Sequence, residues 1–279
     1  MSLLPLGFRR MVLGLDPLVA PEASELAVEF AYLFGLELLG LYIDDPAMRH
    51  VTAMPAARAL SIAGGFWSRL EPLQSVAGAN YAAEATKRRF TEASHQLSRR
   101  GFEVVRAGPA QAFASVSRSD DIIVIVPPGP ASHRASEPFV SILAAAFASD
   151  AAVMLAPARM RRAGGPVLAI AAASYDPSIN AAMAIAATTG ERLVIVDIRE
   201  IAGGAMRLEL RSGLGNPATT QLEKKVLLDY AAEAVPHALR GLAARIVVIT
   251  RGTVRNEAAL ALSRAAPVLI LGPRRADRT

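Results

Sequence analysis

Residues 11–43 read MVLGLDPLVAPEASELAVEFAYLFGLELLGLYI, and residues 166–198 read PVLAIAAASYDPSINAAMAIAATTGERLVIVDI. The two stretches align without a gap at a shift of 155 residues (166 − 11). Each has a short apolar strand pattern, a polar loop, an amphipathic helix pattern and a second apolar strand. Gly35 and Gly190 correspond, and glycine just past a helix end is a common stop signal. The repetition predicts two copies of one β-α-β unit.

Each copy is followed by a second pair of matching strand patterns. Residues 120–129 (DDIIVIVPPG) correspond to residues 244–252 (ARIVVITRG), and residues 151–157 correspond to residues 267–273. These patterns are apolar without alternation, which is typical of strands buried on both faces of a parallel sheet. We therefore predict an α/β, Rossmann-like protein with two tandem doubly wound, mostly parallel five-stranded sheets and helices on both faces.

The predicted domains cover residues 1–160 and 161–279. The first carries a long insertion at residues 44–81, for which we expect local helices. The second is shorter, because the shift between matching positions falls from 155 residues to 123 at Gly129 and Gly252. It falls again to 116 residues at Pro157 and Pro273, so seven residues (123 − 116) are missing after the second glycine turn.

The segments between these repeats give weaker patterns. We predict a helix between residues 82 and 101 and a third strand in FEVVRAG, residues 102–108. The stretch MRLELRS, residues 206–212, alternates apolar and charged residues, which favours a half-exposed or edge strand. The stretch LEKKVLLDYAAEAV, residues 222–235, is interpreted as helical.

The composition excludes several classes of protein. Hydrophobic residues make up 52% of the chain and charged residues 20%, so a folded core is expected. The absence of cysteine excludes disulfides and thiolate chemistry, and four dispersed histidines do not have metal-ligand spacing, so we predict no metal site. No apolar run is long enough for a membrane span, and we expect a cytoplasmic protein. The net charge is +5, but the basic residues are scattered, so no nucleic-acid partner is expected.

The order of these motifs resembles the universal stress protein family in its tandem two-domain form. The stretches that carry the resemblance are Gly14-Leu15-Asp16 after strand one, Leu41–Pro46 (LYIDDP) after strand two, and the segments at 122–129 and 246–252. The resemblance implies a stress-response protein with a non-enzymatic binding or scaffold role. Two copies in one chain can pair like the subunits of a dimer. We therefore predict a pseudo-twofold arrangement with the last strands of the halves near the interface, and a homodimer of the chain stays open.

Nucleotide-binding members of that family hold adenine with an acidic residue after strand one and with main-chain atoms at the end of strand two. A glycine pattern after strand four holds the ribose and phosphates. The corresponding candidates in the first domain are Asp16, Ile43, Gly129 and, in the same loop, Ser132. Val126 replaces the first glycine of the pattern, and Pro138-Phe139 replaces its final Gly-Ser pair. Proline has no N–H to donate to a phosphate. The resemblance therefore implies at most weak binding of ATP or another adenine nucleotide in the first domain.

The second domain departs further from the pattern. Ala171 occupies the acidic position, and the seven-residue loss removes the end of the glycine pattern in VVITRGTVRNEAAL, residues 247–260. We interpret Gly252 as the turn between strand and helix, with the phosphate cradle lost. Thr253 and Asn256 stay candidates for polar contacts with a ligand at the start of the helix.

Other functions were weighed against this one. SGLGNPA, residues 212–218, matches a dinucleotide pattern, but a flexible connection explains its glycines better. A nucleotide hydrolase or nucleotidyl transferase of related fold has His133, Arg134, Arg251 and Arg255 at the strand-end loops, but no obvious base. A sensor of a small non-nucleotide metabolite is the third alternative. The sequence contains neither a P-loop nor a nucleophile elbow, and we predict no catalytic residue.

Overall fold

The computed structural model describes residues 7–15, 22–46, 58–61, 66–69, 76–128, 134, 137–157, 164–200, 206–213, 221–228 and 243–272. The helices within these ranges are α1 (Glu22–Phe34), α2 (Val76–Ala93), α3 (Pro109–Val116), α4 (Glu137–Ala148), α5 (Pro177–Thr189) and α6 (Asn256–Leu262). The strands are β1 (Arg10–Leu15), β2 (Glu37–Ile43), β3 (Arg58–Ser61), β4 (Phe66–Arg69), β5 (Arg100–Val105), β6 (Asp121–Ile125), β7 (Ala152–Leu155), β8 (Val167–Ala171), β9 (Leu193–Glu200), β10 (Met206–Gly213), β11 (Gln221–Leu228), β12 (Ile246–Thr250) and β13 (Val268–Leu271).

Eleven of these strands form one continuous sheet, in the order β11-β10-β9-β8-β12-β13-β7-β6-β1-β2-β5. The first half of the sheet, β7-β6-β1-β2-β5, is entirely parallel. In the second half, β13-β12-β8-β9 are parallel in the corresponding order, and β10 and β11 add an antiparallel pair. The α/β doubly wound architecture is as predicted, but the two halves share a single sheet instead of forming two separate ones.

The halves join where β7 and β13 pair antiparallel. Val153 lies opposite Ile270, and Met154 lies opposite Leu269. At the sequence shift of 116 residues, Val153 corresponds to Leu269 and Met154 to Ile270. Corresponding residues thus exchange partners, which is the register that a twofold axis between the two strands produces. The division of the chain into two domains near residue 160 stays a prediction.

The sheet is buried on both faces, as its uninterrupted apolar strands predict. One face packs against α1, α2 and α5 through side chains such as Phe30, Phe90 and Ile185. The other face packs against α3, α4 and α6 through side chains such as Phe113 and Phe139. Each face has its own continuous apolar cluster that runs across both halves, so the halves share their core as well as their sheet.

Helix ends follow the sequence signals. Gly35 and Gly190 both have positive φ, 64° and 68°, as the predicted left-handed stops require. Asp176 caps the start of α5, where its side chain accepts a hydrogen bond from the N–H of Ser178. Helix α4 has 12 residues, whereas the corresponding helix α6 has 7. The loss of seven residues after the second glycine turn is therefore seen mainly as a shorter helix.

One prediction of local structure is wrong. Residues 221–228 form strand β11, although 222–235 was interpreted as helical, and the rest of that stretch lies outside the described residues. Pairing with β10 satisfies the backbone of this segment, and tertiary pairing of this kind overrides a weak helical preference. Strand β10 lies between β9 and β11, which excludes the edge alternative for 206–212, whereas the half-exposed alternative stays a prediction.

The insertion at 44–81 is described only in part, and the local helices expected there stay a prediction outside the described residues. Its described part contains the antiparallel pair β3 and β4, with Ser61 opposite Phe66, before α2 begins at Val76. The dinucleotide alternative also fails here. Its glycine loop should lead into a helix, whereas the next described element along the chain is strand β11, which pairs antiparallel with β10.

Candidate functional site

Ligands of doubly wound sheets bind beyond the carboxyl ends of the strands, at the point where the strand order reverses. In the first half this point lies between β1 and β6, and we name it the first crevice. In the second half it lies between β8 and β12, and we name it the second crevice. Because β7 and β13 run antiparallel, the two crevices open at opposite edges of the sheet. The molecule therefore has two separate candidate sites.

The structure describes part of the first crevice near the end of β2, where the family resemblance places adenine. Ile43 is the last residue of β2, is buried with 4% of its surface exposed, and pairs with Val105 of β5. Its neighbour Asp44 donates its backbone N–H to the carbonyl of Val105, at 2.9 Å. Three further candidates, Asp16, Gly129 and Ser132, lie outside the described residues.

A polar cluster borders Ile43 that the sequence interpretation missed. The carboxylate of Asp44 lies 3.7 Å from the Nε of Arg106, and Asp44 itself is buried. Arg106 also donates from Nη2 to the side-chain oxygen of Asn80 on α2, at 2.8 Å. Asp44 lies within LYIDDP, which carries the family resemblance, so the sequence contained a visible signal for it. Nothing local to the sequence connects Arg106 or Asn80 to it, because the contact depends on the neighbouring positions of β2, β5 and α2.

The phosphate side of the first crevice is poorly suited to an anion. Pro127 and Pro128 follow β6 and have no N–H to donate. The carbonyl of Pro128 accepts a hydrogen bond from Nη1 of Arg134, at 3.0 Å. Helix α4 carries Glu137 in its first turn, where a carboxylate repels a phosphate, and Phe139 is buried in the core. The predicted loss of the Gly-Ser pair thus has a structural consequence, since a core side chain fills its place.

The second crevice is bridged by one carboxylate. Asp176 Oδ1 accepts hydrogen bonds from the Ser178 N–H at 2.9 Å and from the Thr250 hydroxyl at 2.5 Å. Its other oxygen, Oδ2, accepts from the N–H of Ala172 at 3.2 Å. Asp176 is buried, with only 8% of its surface exposed. The loop after β8 is thereby tied to the end of β12, across the position where a ligand would enter.

The turn around Gly252 uses its own hydrogen-bond donors. The N–H of Thr253 donates to the carbonyl of Thr250 at 3.0 Å, and Gly252 has φ of +91° at the third position of this turn. This is the turn that the sequence interpretation assigned to Gly252, and glycine accommodates its positive φ without strain. The N–H of Arg251 donates to the carbonyl of Leu271 at 3.1 Å. Two donors that a phosphate cradle would need are therefore occupied by main-chain carbonyls.

The remaining candidates in the second half are dispersed. Thr253 is half-buried in the turn, whereas Asn256, the first residue of α6, is exposed. Glu257 in the first turn of α6 places a negative charge there, as Glu137 does in α4. The structure thus brings Thr253 near the crevice and leaves Asn256 at its outer rim.

The side chain of Arg251 contacts the first half of the chain. Its Nη1 and Nη2 donate to the carbonyls of Ser149 and Ala151 in the first half, at 2.6 and 2.8 Å. Burial lowers the pKa of Arg251. Its Nε is buried and makes no hydrogen bond in the described structure. Arg251 therefore fastens the second half to the loop that precedes β7.

Among the described residues, no three histidine, aspartate or glutamate side chains are grouped so as to hold a metal ion. In the same ranges of the chain, no helix has the length and apolarity needed to cross a membrane.

The fold and its two crevices define a doubly wound α/β protein whose strand order reverses once in each half. More narrowly, the fold is that of a universal stress protein. A universal stress protein from Archaeoglobus fulgidus superposes with a TM-score of 0.57 at 14% identity, covering 96% of this chain and 98% of that chain. A functionally unknown protein from Pseudomonas aeruginosa superposes with a TM-score of 0.49 at 13% identity, covering 95% and 93%. No protein-family model and no curated protein sequence matches the chain.

Proposed function

We propose that the chain is a non-enzymatic, stress-associated cytoplasmic binding or scaffold protein in which only the first half binds a ligand. In this proposal the ligand is an adenine nucleoside or nucleotide, held weakly at the first crevice by Asp16 and by the end of β2. The second half serves as a structural partner for the first.

The observation that carries the proposal is the bridge across the second crevice. Asp176 and Thr250 hydrogen-bond across it, and Arg251 is engaged with the first half. The corresponding positions of the first half are Pro21 (176 − 155), Pro127 (250 − 123) and Pro128 (251 − 123). Proline has no side-chain hydrogen-bonding group, so these three positions cannot form the same bridge across the first crevice.

The same prolines restrict the ligand. Without N–H groups at 127 and 128, and with Glu137 at the start of α4, the first crevice has little to offer a triphosphate. We therefore propose that the adenine and ribose supply most of the binding free energy. Adding phosphates is then neutral or unfavourable, which is the reverse of what a protein with a phosphate cradle shows.

The engagement of Arg251 also supports the non-enzymatic part of the proposal. A hydrolase or transferase would need a cation aimed at the transferred group. Both terminal nitrogens of Arg251 instead donate to main-chain carbonyls. The metabolite-sensor alternative gains no specific support from the described residues.

The test is isothermal titration of adenosine, AMP, ADP and ATP against the full chain. We expect affinity to stay level or fall as phosphates are added, and we expect Asp16→Asn to weaken adenosine binding about tenfold, the effect of losing one hydrogen bond to a charged group. Glu29→Gln on the exposed side of α1 is the matched control, because it removes one negative charge outside the crevice. Tighter binding of ATP than of adenosine, or steady release of phosphate from ATP, would contradict the proposal.

A further inference from the structure

The basic residues that are scattered along the sequence are partly gathered by the fold. Arg9, Arg99 and Arg118 precede β1, β5 and β6 and are all exposed. Since these strands are parallel members of one sheet, their amino-terminal ends lie along one edge. Main-chain bonds fix the row, because the carbonyls of Arg9 and Arg99 accept from the N–H groups of Glu37 and Leu38 at the start of β2. We name this row the amino-terminal edge of the first half.

Helix α2 and the turn after it extend the positive charge. Residues 87–100 read KRRFTEASHQLSRR, with five cations and one acid, for a formal charge of +4 (5 − 1). All five cations, Lys87, Arg88, Arg89, Arg99 and Arg100, are exposed. Two further acids lie at this edge: Glu37 at the start of β2, and Asp120, which makes a long contact of 4.0 Å with Arg9. They offset only part of the positive charge, and the side chain of Arg9 is 79% exposed. The edge therefore presents a net cationic surface.

An exposed aromatic side chain lies within this surface. Tyr32, near the end of α1, has 72% of its surface exposed. Its carbonyl accepts from the N–H of Gly35, and the carbonyl of Gly35 accepts from Nη2 of Arg99, both at 3.2 Å. Tyr32 therefore lies next to the turn that ends α1, and Arg99 of the cationic surface contacts this turn directly.

We propose that the amino-terminal edge of the first half binds single-stranded nucleic acid. The arginines and Lys87 would contact the phosphates, and Tyr32 would stack on a base. Cations beside an aromatic ring are the combination that proteins use for single strands, since phosphates supply the charge and every base has a face for stacking. An acidic protein segment would satisfy the cations but would leave the exposed ring without a matching group. This surface lies at the edge opposite the first crevice, so the inference is independent of the proposed function.

The experiment measures fluorescence anisotropy of labelled uridine and deoxythymidine oligonucleotides with the full chain over a series of salt concentrations. The test variant is Arg88→Gln with Arg99→Gln. The matched control is Arg192→Gln with Arg264→Gln, which removes the same charge from exposed turns before β9 and β13, at the opposite edge. A third variant, Tyr32→Ala, removes the ring without changing the charge.

We expect the wild type to bind at low salt, and the test variant to lose about tenfold in affinity. The slope of log affinity against log salt should become shallower by about 1.4, because each phosphate contact on a single strand contributes about 0.7. Tyr32→Ala should lose about tenfold at unchanged slope, as expected for one stacked base. Comparison of the two oligonucleotides distinguishes RNA from DNA as the source of the phosphates and bases.

Other outcomes would overturn the proposal. These are no binding by the wild type at low salt, an equal loss in the control variant, or an unchanged affinity in Tyr32→Ala. Displacement of the labelled strand by polyglutamate as readily as by unlabelled oligonucleotide would assign the surface to an acidic protein partner instead. Circular dichroism of each variant establishes that a loss of binding is not a loss of folding.

Discussion

The two halves of the sheet differ in the polar contacts at the ends of their central strands. In the second half, Asp176 and Thr250 bridge the carboxyl ends of β8 and β12, where a ligand would bind. In the first half, Arg10 of β1 and Asp121 of β6 form an ion pair at the other ends of the corresponding strands, at 2.6 Å. The second half has Gly165 and Ala244 at the matching positions (10 + 155 and 121 + 123), and its ion pair at those ends joins Arg245 and Glu191, at 3.1 Å.

The difference concerns the crevice at the carboxyl ends of the central strands, which is bridged by hydrogen bonds in the second half. A half whose strands are held together by an ion pair at their amino-terminal ends can leave its carboxyl-terminal crevice free for a ligand. A half that fastens the crevice itself gains stability there and gives up the site. The proposed function assigns binding to the first half and a structural role to the second, and the four predictions below test that contrast from the largest expected effect to the smallest.

Asp121→Ala should be the most destabilising change. It leaves Arg10 half-buried without its carboxylate, and it removes the acceptor of the Arg118 N–H, so we expect a loss of about 3–5 kcal/mol in the free energy of unfolding. The hydrogen bond to Asp121 raises the pKa of Arg10 against the opposing effect of burial, so the contribution of the charged guanidinium persists through neutral pH and is lost as the pH rises to the extreme alkaline range. Urea denaturation measures the effect.

Asp120→Ala is the control for that experiment. The neighbouring carboxylate makes only a long, exposed contact with Arg9, so its removal should cost less than about 1 kcal/mol. Equal losses in the two variants would remove the distinction between a fastened and an unfastened end of the first half.

Gly272→Ala tests the closeness of the two halves. A Cβ at Gly272 would lie 2.6 Å from the carbonyl oxygen of Asp150 and 2.9 Å from that of Ala151, and both are backbone atoms that cannot move aside cheaply. We expect a loss of about 1–3 kcal/mol, measured as a lower denaturation midpoint. Gly108→Ala is the matched control, because a Cβ there meets nothing within 4 Å. A neutral Gly272→Ala would mean that the halves lie further apart than described.

Asp176→Ala and Thr250→Val test the bridge of the second crevice. Asp176→Ala also removes the helix cap, so it should cost about 1–2 kcal/mol, and Thr250→Val should cost about 1 kcal/mol. The double variant should reveal a coupling of at least about 0.5 kcal/mol between them. Thr253→Val in the same turn serves as the control for threonine replacement. Strict additivity would show that the bridge contributes nothing.

Arg251→Met keeps an unbranched apolar side chain but removes two hydrogen bonds to the first half. Because burial already opposes the charge of Arg251, the net loss should be small, about 1 kcal/mol. Differential scanning calorimetry should then show a lower and broader transition, as the halves become less cooperative. A sharp transition at the wild-type temperature would argue against a fastening role for Arg251.

Much of this architecture could be predicted from the sequence, because the strands of a parallel sheet are written as short apolar runs. Strands β1, β2, β6, β8, β9 and β12 all coincide with such runs, and the glycines at 35 and 190 mark the helix ends. Strand β11 could not be predicted in this way. QLEKKVLL has no clear period, and only pairing with β10 decides its structure.

The site was less predictable for a physical reason. The loss of the phosphate cradle in the second half followed from missing residues, and the occupied N–H groups of the turn agree with it. The bridge from Asp176 to Thr250 spans 74 positions of sequence, so no local pattern contains it. Asp176 precedes Pro177, a pattern that indicates a turn or a helix cap, and the cap is only one of the contacts that Asp176 makes. The roles proposed for Asp16, Gly129 and Ser132 stay predictions.

The central claim, that one half binds and the other does not, is tested most directly by hydrogen–deuterium exchange with and without saturating adenosine. We predict slower exchange in peptides that cover the ends of β1, β2 and β6, and unchanged exchange in residues 246–256. Slower exchange around Gly252, with none at the ends of β1 and β2, would contradict the account.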